Sequence, residues 1–432
     1  MDIKDLYQIY LQHPSVKTDT RQLLQGDIFI ALRGANFNGN HFVKHALDAG
    51  ASYIIMDEVP DIYDERIIKT PDTLLTLQNL AKHHREQFKK MPGGSEVPFL
   101  AITGSNGKTT TKELIYRVLS TTYKTYATEG NLNNHIGIPL TILKIKNDAE
   151  IAVIEMGANH LKEIEGYCNY AMPTHGLITN LGKAHLEGFG SIEVIRKAKG
   201  ELFDYLKKNG GTAIVNTDDQ YIQEMSKGIK NIYTYGSEKG EINGFAINNN
   251  SFLEVGIVKG LLVKTITTQL IGKYNLSNVL SSIVVGKIFN VQEERIKAAI
   301  EAYSPGNNRS QLIKKDSNTI ILDAYNANPS SMKAAIENFE TIPGSNKILL
   351  LGAMMELGNE SKREHEEIIH MIDRQQWNYV ALVGENFKEI KHRYINFNNS
   401  SELREWFKQK HFSNSIILIK GSRNMQMEKV LD

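Results

Sequence analysis

The chain has 432 residues, about three times a typical domain length of ~150, which leaves room for two to four domains with real cores. Its 41% hydrophobic and 23% charged residues are ordinary for a globular protein and exclude a disordered or collagenous chain, while 50 Lys and Arg against 49 Asp and Glu leave +1, without the basic field that sequence-independent nucleic-acid binding needs. The single cysteine, Cys168, excludes an intrachain disulfide and a cysteine-based zinc cluster and fits a reducing, cytoplasmic setting; charges in Met1-Asp2-Ile3-Lys4-Asp5 and the lack of any run near ~20 apolar residues lead us to expect neither export nor a membrane partner.

In chain order, the first 90 residues carry short apolar runs at 27–32 and 52–56 between Gly/Asn-rich turns, then a charged helical stretch over 72–90. Pro92-Gly93-Gly94-Ser95 reads as a helix stop and hinge, so a first domain is expected over 1–93 that binds its ligand with little help from the rest. From Phe99 onward, buried-type strand runs at 99–102, 149–155, 175–180 and 211–216 alternate with helical patterns, which implies βα units and a mainly parallel sheet in a domain over 94–304. Asn248-Asn249-Asn250 reads as a turn within a β segment running to Leu270. After Ser304-Pro305-Gly306 the alternation restarts, with strands at 319–323, 347–351, 379–383 and 416–420 and a helix over 331–340, giving a smaller α/β domain over 305–432.

The strand at 99–102 runs into Thr103-Gly104-Ser105-Asn106-Gly107-Lys108-Thr109-Thr110, and a helix with Leu114, Ile115, Val118 and Leu119 on one face follows. Backbone amides in such a loop point at an anion, Lys108 adds a point charge, and the Thr109 hydroxyl suits Mg²⁺. Ile102 stands where the strict phosphate-loop pattern wants glycine, so only the shorter G-x-x-G-K-T-T form is present. Read alone, the stretch is otherwise a Gly-rich turn with a solvated lysine.

Glu155 closes an apolar run at a strand end, where a carboxylate either meets a cation or reaches water. Asn131, Asn133 and Asn134 lie in a loop whose amides suit a polar ligand or cap neighbouring backbone. His185, in 179–187, follows another strand end and so belongs to the same sheet edge, as a metal or phosphate ligand or as a polar surface residue. Lys199, in Arg196-Lys197-Ala198-Lys199-Gly200-Glu201, reads by itself as part of a solvated basic face. Asp323 ends a strand before Asn328-Pro329-Ser330, which is good helix-start chemistry, and Lys420-Gly421-Ser422-Arg423 is either poised for an anion or a basic surface turn.

Together these motifs resemble the Mur ligases of bacterial cell-wall synthesis, in the family's order and over nearly the whole chain: Thr-Gly-Ser-Asn-Gly-Lys-Thr-Thr at 103–110, Asn-Leu-Asn-Asn at 131–134, Glu-Met-Gly-Ala at 155–158 and Ala-Lys-Gly-Glu at 198–201. Tyr-Asn-Ala-Asn-Pro at 325–329, with Thr18-Asp19-Thr20-Arg21 and Asn38-Gly39-Asn40-His41-Phe42 at the front, resembles the branch that adds a dipeptide. The resemblance implies an α/β protein of three domains: a small UDP-binding domain, a central P-loop ATPase domain and a C-terminal Rossmann-like domain that closes over the nucleotide.

It also implies roles. Gly104, Ser105, Asn106, Gly107, Lys108, Thr109 and Thr110 would hold ATP, helped by Asn275, Arg309, Asp323 and Asn326. Thr109, Glu155, His185 and Lys199 would serve two Mg²⁺ sites, with Lys199 carbamylated, and Lys108, Lys199 and His185 would be catalytic. Thr18, Asp19, Arg21, Asn38, His41, Asn131, Asn133 and Asn134 would bind substrate. The implied reaction joins D-alanyl-D-alanine to UDP-N-acetylmuramoyl-tripeptide through an acyl phosphate, releasing ADP and phosphate, in a monomer that binds no nucleic acid. Two departures stand out: Tyr274 where the family often has His, and Ala353 where it often has Asp. Rival readings are another amide ligase of the same machinery or a nucleotide-binding regulator without ligase chemistry, and the third residue of the tripeptide, diaminopimelate or lysine, is left open.

Overall fold

Strands buried on both faces read as unbroken apolar runs, and the central strands of three sheets of this chain are such runs. The computed structural model describes residues 1–59, 62–89, 96–247, 252–306 and 308–432. The hinge expected at Pro92 to Ser95 and the turn at Asn248 to Asn250 lie outside the described residues.

The first sheet is four-stranded and parallel, in the order Val16–Lys17, Ile28–Ile30, Tyr53–Met56, Ile67–Lys69. Helix Thr73–Gln87 follows it, opened by the Asp72 carboxylate, which accepts from the Leu75 amide at 2.8 Å.

The second sheet is nine-stranded, in the order Thr125–Ala127, Ile151–Glu155, Phe99–Thr103, His175–Ile178, Thr212–Asn216, Asn231–Gly236, Ile242–Ile247, Phe252–Lys259, Thr265–Ile271. Pairing is parallel as far as Ile242–Ile247, and the last two strands are antiparallel. Phe99–Thr103 lies between Ile151–Glu155 and His175–Ile178. The strand order reverses there, so the loops after these three strands meet at one carboxyl edge, the place where open α/β sheets bind ligands.

The third sheet is six-stranded: Gln311–Lys315 antiparallel at one edge, then Asn318–Asp323, Ile416–Lys420, Lys347–Gly352, Tyr379–Val383 and Ile395–Phe397, all parallel. The α/β class and mainly parallel sheets stand as expected. The two edge strands, Gln311–Lys315 and Ile395–Phe397, were not foreseen, because a half-covered edge of polar composition leaves no apolar run to read.

One apolar core runs through all three regions, including Leu77 and Leu80, then Phe99 and Ile142, then Met332 and Phe339. Buried polar contacts cross the same boundary. Tyr10 donates its hydroxyl hydrogen to the Leu143 carbonyl, His84 Nε2 lies 2.8 Å from the Ile145 carbonyl, and fully buried Arg85 donates to the Ala171 and Met172 carbonyls at 3.1 Å each. This shared core ties the first region to the second, where the sequence led us to expect a first domain that binds its ligand with little help from the rest. No helix among the described residues is long and apolar enough to cross a membrane.

Candidate active site

The loop after Phe99–Thr103 turns through Gly104 at φ +140°, where a Cβ would sit 2.0 Å from Thr179 Oγ1, and through Gly107 at φ +79°, so both positions demand glycine. Helix Lys108–Ser120 starts immediately after, which leaves its first amides facing the loop. The 179–182 loop straps this turn: Ser105 N donates to the Asn180 carbonyl at 3.0 Å, Ser105 Oγ to the Gly182 carbonyl at 2.6 Å, and Asn180 Nδ2 to the Asn106 carbonyl at 2.8 Å. Lys108 Nζ folds back onto the Gly104 and Ser105 carbonyls at 2.7 and 3.1 Å. Burial and the nearby Arg309 push the Lys108 pKa below its usual value, against the pull of Glu155.

Glu155 is buried at 1% exposure. Its Oε1 accepts from Asn133 Nδ2 at 2.7 Å and Thr109 Oγ1 at 3.2 Å, while Oε2 has no hydrogen-bond partner among the described residues. A buried carboxylate oxygen without a donor is costly and calls for a cation. Asn134 instead turns its side chain to the backbone just ahead of helix Gly137–Leu143, accepting from the Ile136 and Gly137 amides at 3.1 and 2.8 Å.

Lys199 is no solvated face. It is 1% exposed, on the inner side of helix Ile192–Asn209, with Nζ 3.1 Å from the Ala158 carbonyl and 5.3 Å from the centre of the Phe189 ring. Burial, reinforced by the charge of Lys108, holds its pKa well below the ordinary lysine value. Its neighbour Glu201 fixes the adjacent loop, accepting from the Lys162 and Glu165 amides at 2.7 and 3.0 Å.

The third region supplies the opposite wall. Arg309 stacks its guanidinium 3.5 Å over the Tyr325 ring. Asp323 accepts from the Ser310 amide at 3.0 Å and from Lys420 Nζ at 2.5 Å. Lys420 is 2% exposed, so the reading of 420–423 as a basic surface turn is corrected: its ammonium is drawn inward by the strand-end carboxylate beside it. Asn328 and Pro329 open helix Pro329–Thr341 with a capping box, as expected of that sequence, and Asn328 Nδ2 also donates to Asn106 Oδ1 at 2.8 Å. Lys183 Nζ meets the buried Glu364 carboxylate at 2.6 Å, and His185 Nδ1 lies 2.5 Å from Glu356 Oε2, whose pKa the imidazole holds down.

These walls enclose a cleft of about 830 Å³. Ser105 to Thr110, Asn131, Asn133, Asn134, Glu155, His185, Asn275, Arg309, Asp323 and Asn326 all line it, as does Tyr274, whose hydroxyl lies 3.0 Å from Ser310 Oγ. Gly104 stands at the strand–loop junction and Lys199 one layer behind, while Ala353 is buried outside the lining.

Thr18, Asp19, Arg21, Asn38 and His41 are not in this cleft but in the segments that connect the strands of the first sheet, Asn38 in a short strand paired with Arg33–Gly34. There Arg21 forks onto Asp19 with Nη2 to Oδ2 at 2.7 Å, and Asn38 donates to Glu58 at 2.8 Å.

Family models match in three stretches: a Mur ligase family catalytic domain over 14–85, a Mur ligase middle domain over 102–286 and a Mur ligase glutamate ligase domain over 308–423. The UDP-N-acetylmuramoyl-tripeptide--D-alanyl-D-alanine ligase of Bacillus subtilis is 35% identical, aligned over 96% of this chain and 92% of its own. The chain belongs to the Mur ligase family. Two solved structures share its whole architecture: MurF from Acinetobacter baumannii, at TM-score 0.87 and 28% identity over 98% of this chain and 97% of that one, and MurF from Thermotoga maritima in complex with ADP, at TM-score 0.86 and 26% identity over the same shares.

As a Mur ligase the chain is an ATP-using peptide ligase. No group of three or more His, Cys, Asp or Glu among the described residues is set to hold a metal ion. The unpartnered Glu155 Oε2 beside the Thr109 hydroxyl fits such an ion. Glu356 and Glu364 went unremarked in the sequence; Glu356 lies in the loop after strand Lys347–Gly352 and Glu364 in helix Ser361–Asp373, and only the placement of the third sheet against the second brings them to His185 and Lys183.

Proposed function

We propose that this Mur ligase joins D-alanyl-D-alanine to UDP-N-acetylmuramoyl-tripeptide, with residues 1–93 holding the UDP-sugar, 94–304 the ATP phosphates and 305–432 the adenosine side of the cleft. The observation that carries the reading is one cleft in which the Lys108 loop and the unsatisfied Glu155 oxygen face Arg309, Asp323 and Asn326 of the last region.

A carboxylate is a poor electrophile because its leaving group would be oxide. The tripeptide carboxylate therefore attacks the γ-phosphorus of ATP, ADP leaves, and an acyl phosphate forms; the neutral amine of the dipeptide then attacks the acyl carbon, phosphate leaves, and the amine's proton passes to solvent. Loop amides 104 to 107 and Lys108 hold and orient the transferring phosphoryl group. Lys108 leaves its two loop carbonyls for the phosphates, a modest change because both lie within the same turn. Mg²⁺, when bound, spreads the developing negative charge, and Thr109, Glu155, His185 and a carbamylated Lys199 are the residues that would hold it at two sites.

The test is ADP release by the purified chain with ATP, the UDP-muramoyl tripeptide and D-alanyl-D-alanine. Release that requires both acceptor and dipeptide is expected. Release independent of the dipeptide would refute the reaction and favour a nucleotide-binding regulator.

A further inference from the structure

Beside the cleft lies a second recess of about 470 Å³, between helix Thr73–Gln87 and helix Glu163–Ala171. It joins the cleft at Glu163 and Tyr167, which line both. Its far wall is one face of the first helix, Leu75, Gln78 and Lys82, spaced three and four residues apart. Gln78 Nε2 donates to the His135 carbonyl at 3.1 Å, which ties that wall to the Asn131–His135 loop.

Two charges face this recess with capacity to spare. The Lys82 ammonium has no hydrogen bond or ion pair among the described residues. Glu163 uses Oε2 to accept from the Asn159 and His160 amides at 2.6 and 2.9 Å, which leaves Oε1 uncommitted. Lys162, at the rim, is already paired with Glu165.

In the proposed reaction, on which this inference rests, the carboxylate to be activated must reach the Lys108 loop. The side chain of the residue bearing that carboxylate then needs room beside the cleft. We propose that the recess receives the side chain of the tripeptide's third residue, and that Lys82 with Glu163 selects one ending in both a carboxylate and an ammonium, as diaminopimelate does, over one ending in an ammonium alone, as lysine does. The zwitterionic end gives each protein charge its opposite. A lysine end sets its ammonium against Lys82 and satisfies only Glu163.

The experiment measures kcat/KM for the two UDP-muramoyl tripeptides side by side, on the full chain with saturating ATP and D-alanyl-D-alanine. The wild type is expected to favour the diaminopimelate substrate by about tenfold or more, the scale of one added charge-assisted hydrogen bond. In Lys82→Gln the diaminopimelate value falls about tenfold through KM while the lysine value rises, and Lys82→Arg keeps the wild-type preference. Lys82 is exposed, so these variants fold, and their thermal midpoints verify it. A preference for the lysine substrate, or an equal loss on both substrates in Lys82→Gln, overturns the selection while leaving the reaction in place. Turnover of neither tripeptide brings down the reaction itself, and this inference with it.

Discussion

Lys199 is a cationic residue type placed where a cation is least stable, its amine meeting one carbonyl and an aromatic ring and no carboxylate among the described ion pairs. Its lowered pKa leaves a larger share of neutral amine, the form whose nitrogen attacks CO₂, loses a proton and becomes a carbamate, turning a group that repels Mg²⁺ into an oxygen donor. Incubated with ¹³C-bicarbonate, the wild type should show a carbamate carbon resonance. Lys199→Met, a shape suited to burial, should fold, lose that resonance and lose about 100-fold or more in kcat. Full activity in the folded variant would remove Lys199 from the site. The sequence by itself pointed at Lys108 and Glu155 because a strand end places them, but it left Lys199 ambiguous: a lysine on an amphipathic helix looks the same on paper whether it faces water or the sheet. Lys420, at a strand end, was left between two readings because its partner Asp323 lies 97 residues away.

Among the elements, strands covered on both faces were legible and edge strands were not. Ile151–Glu155 is buried at every position, whereas Gln311–Lys315 is half exposed and ends in two lysines. Strand His175–Ile178 carries a testable cost at its first residue. Burial pushes the His175 pKa down to about 4, with Thr174 Oγ1 2.9 Å from its ring nitrogen. An unfolded histidine titrates near 6.5, so between 6.5 and 4 the unfolded chain takes up a proton that the folded strand refuses. Stability therefore falls as pH drops through that window and levels off below it. The wild type should lose about 2 kcal/mol between pH 7 and pH 5 through this group, read from urea midpoints, and His175→Gln should flatten that slope. An unchanged slope in the variant would place the acid sensitivity elsewhere.

At the scale of the whole molecule, the three sheets were legible as domains, but the way the first is welded to the second was not, since the weld consists of single side chains reaching across. Tyr10, His84 and Arg85 each find a backbone carbonyl partner between Leu143 and Met172. A fragment of residues 1–92 loses every one of these partners and uncovers Leu77, Leu80 and Phe88. It should show no cooperative thermal transition by circular dichroism, and a sharp transition with native-like helix content would contradict the shared core.

That weld also sets a timetable for synthesis. The chain leaves the ribosome from its N-terminus, and helix Thr73–Gln87 is complete some eighty residues before helix Glu163–Ala171 has emerged to cover it. At about 5–20 residues per second, the wait is roughly 4 to 16 s. During that interval the side of the helix turned toward the second region waits for its cover, helix Gly137–Leu143 arriving first and helix Glu163–Ala171 last, which makes this stretch a binding target for the chaperones that meet newly made protein.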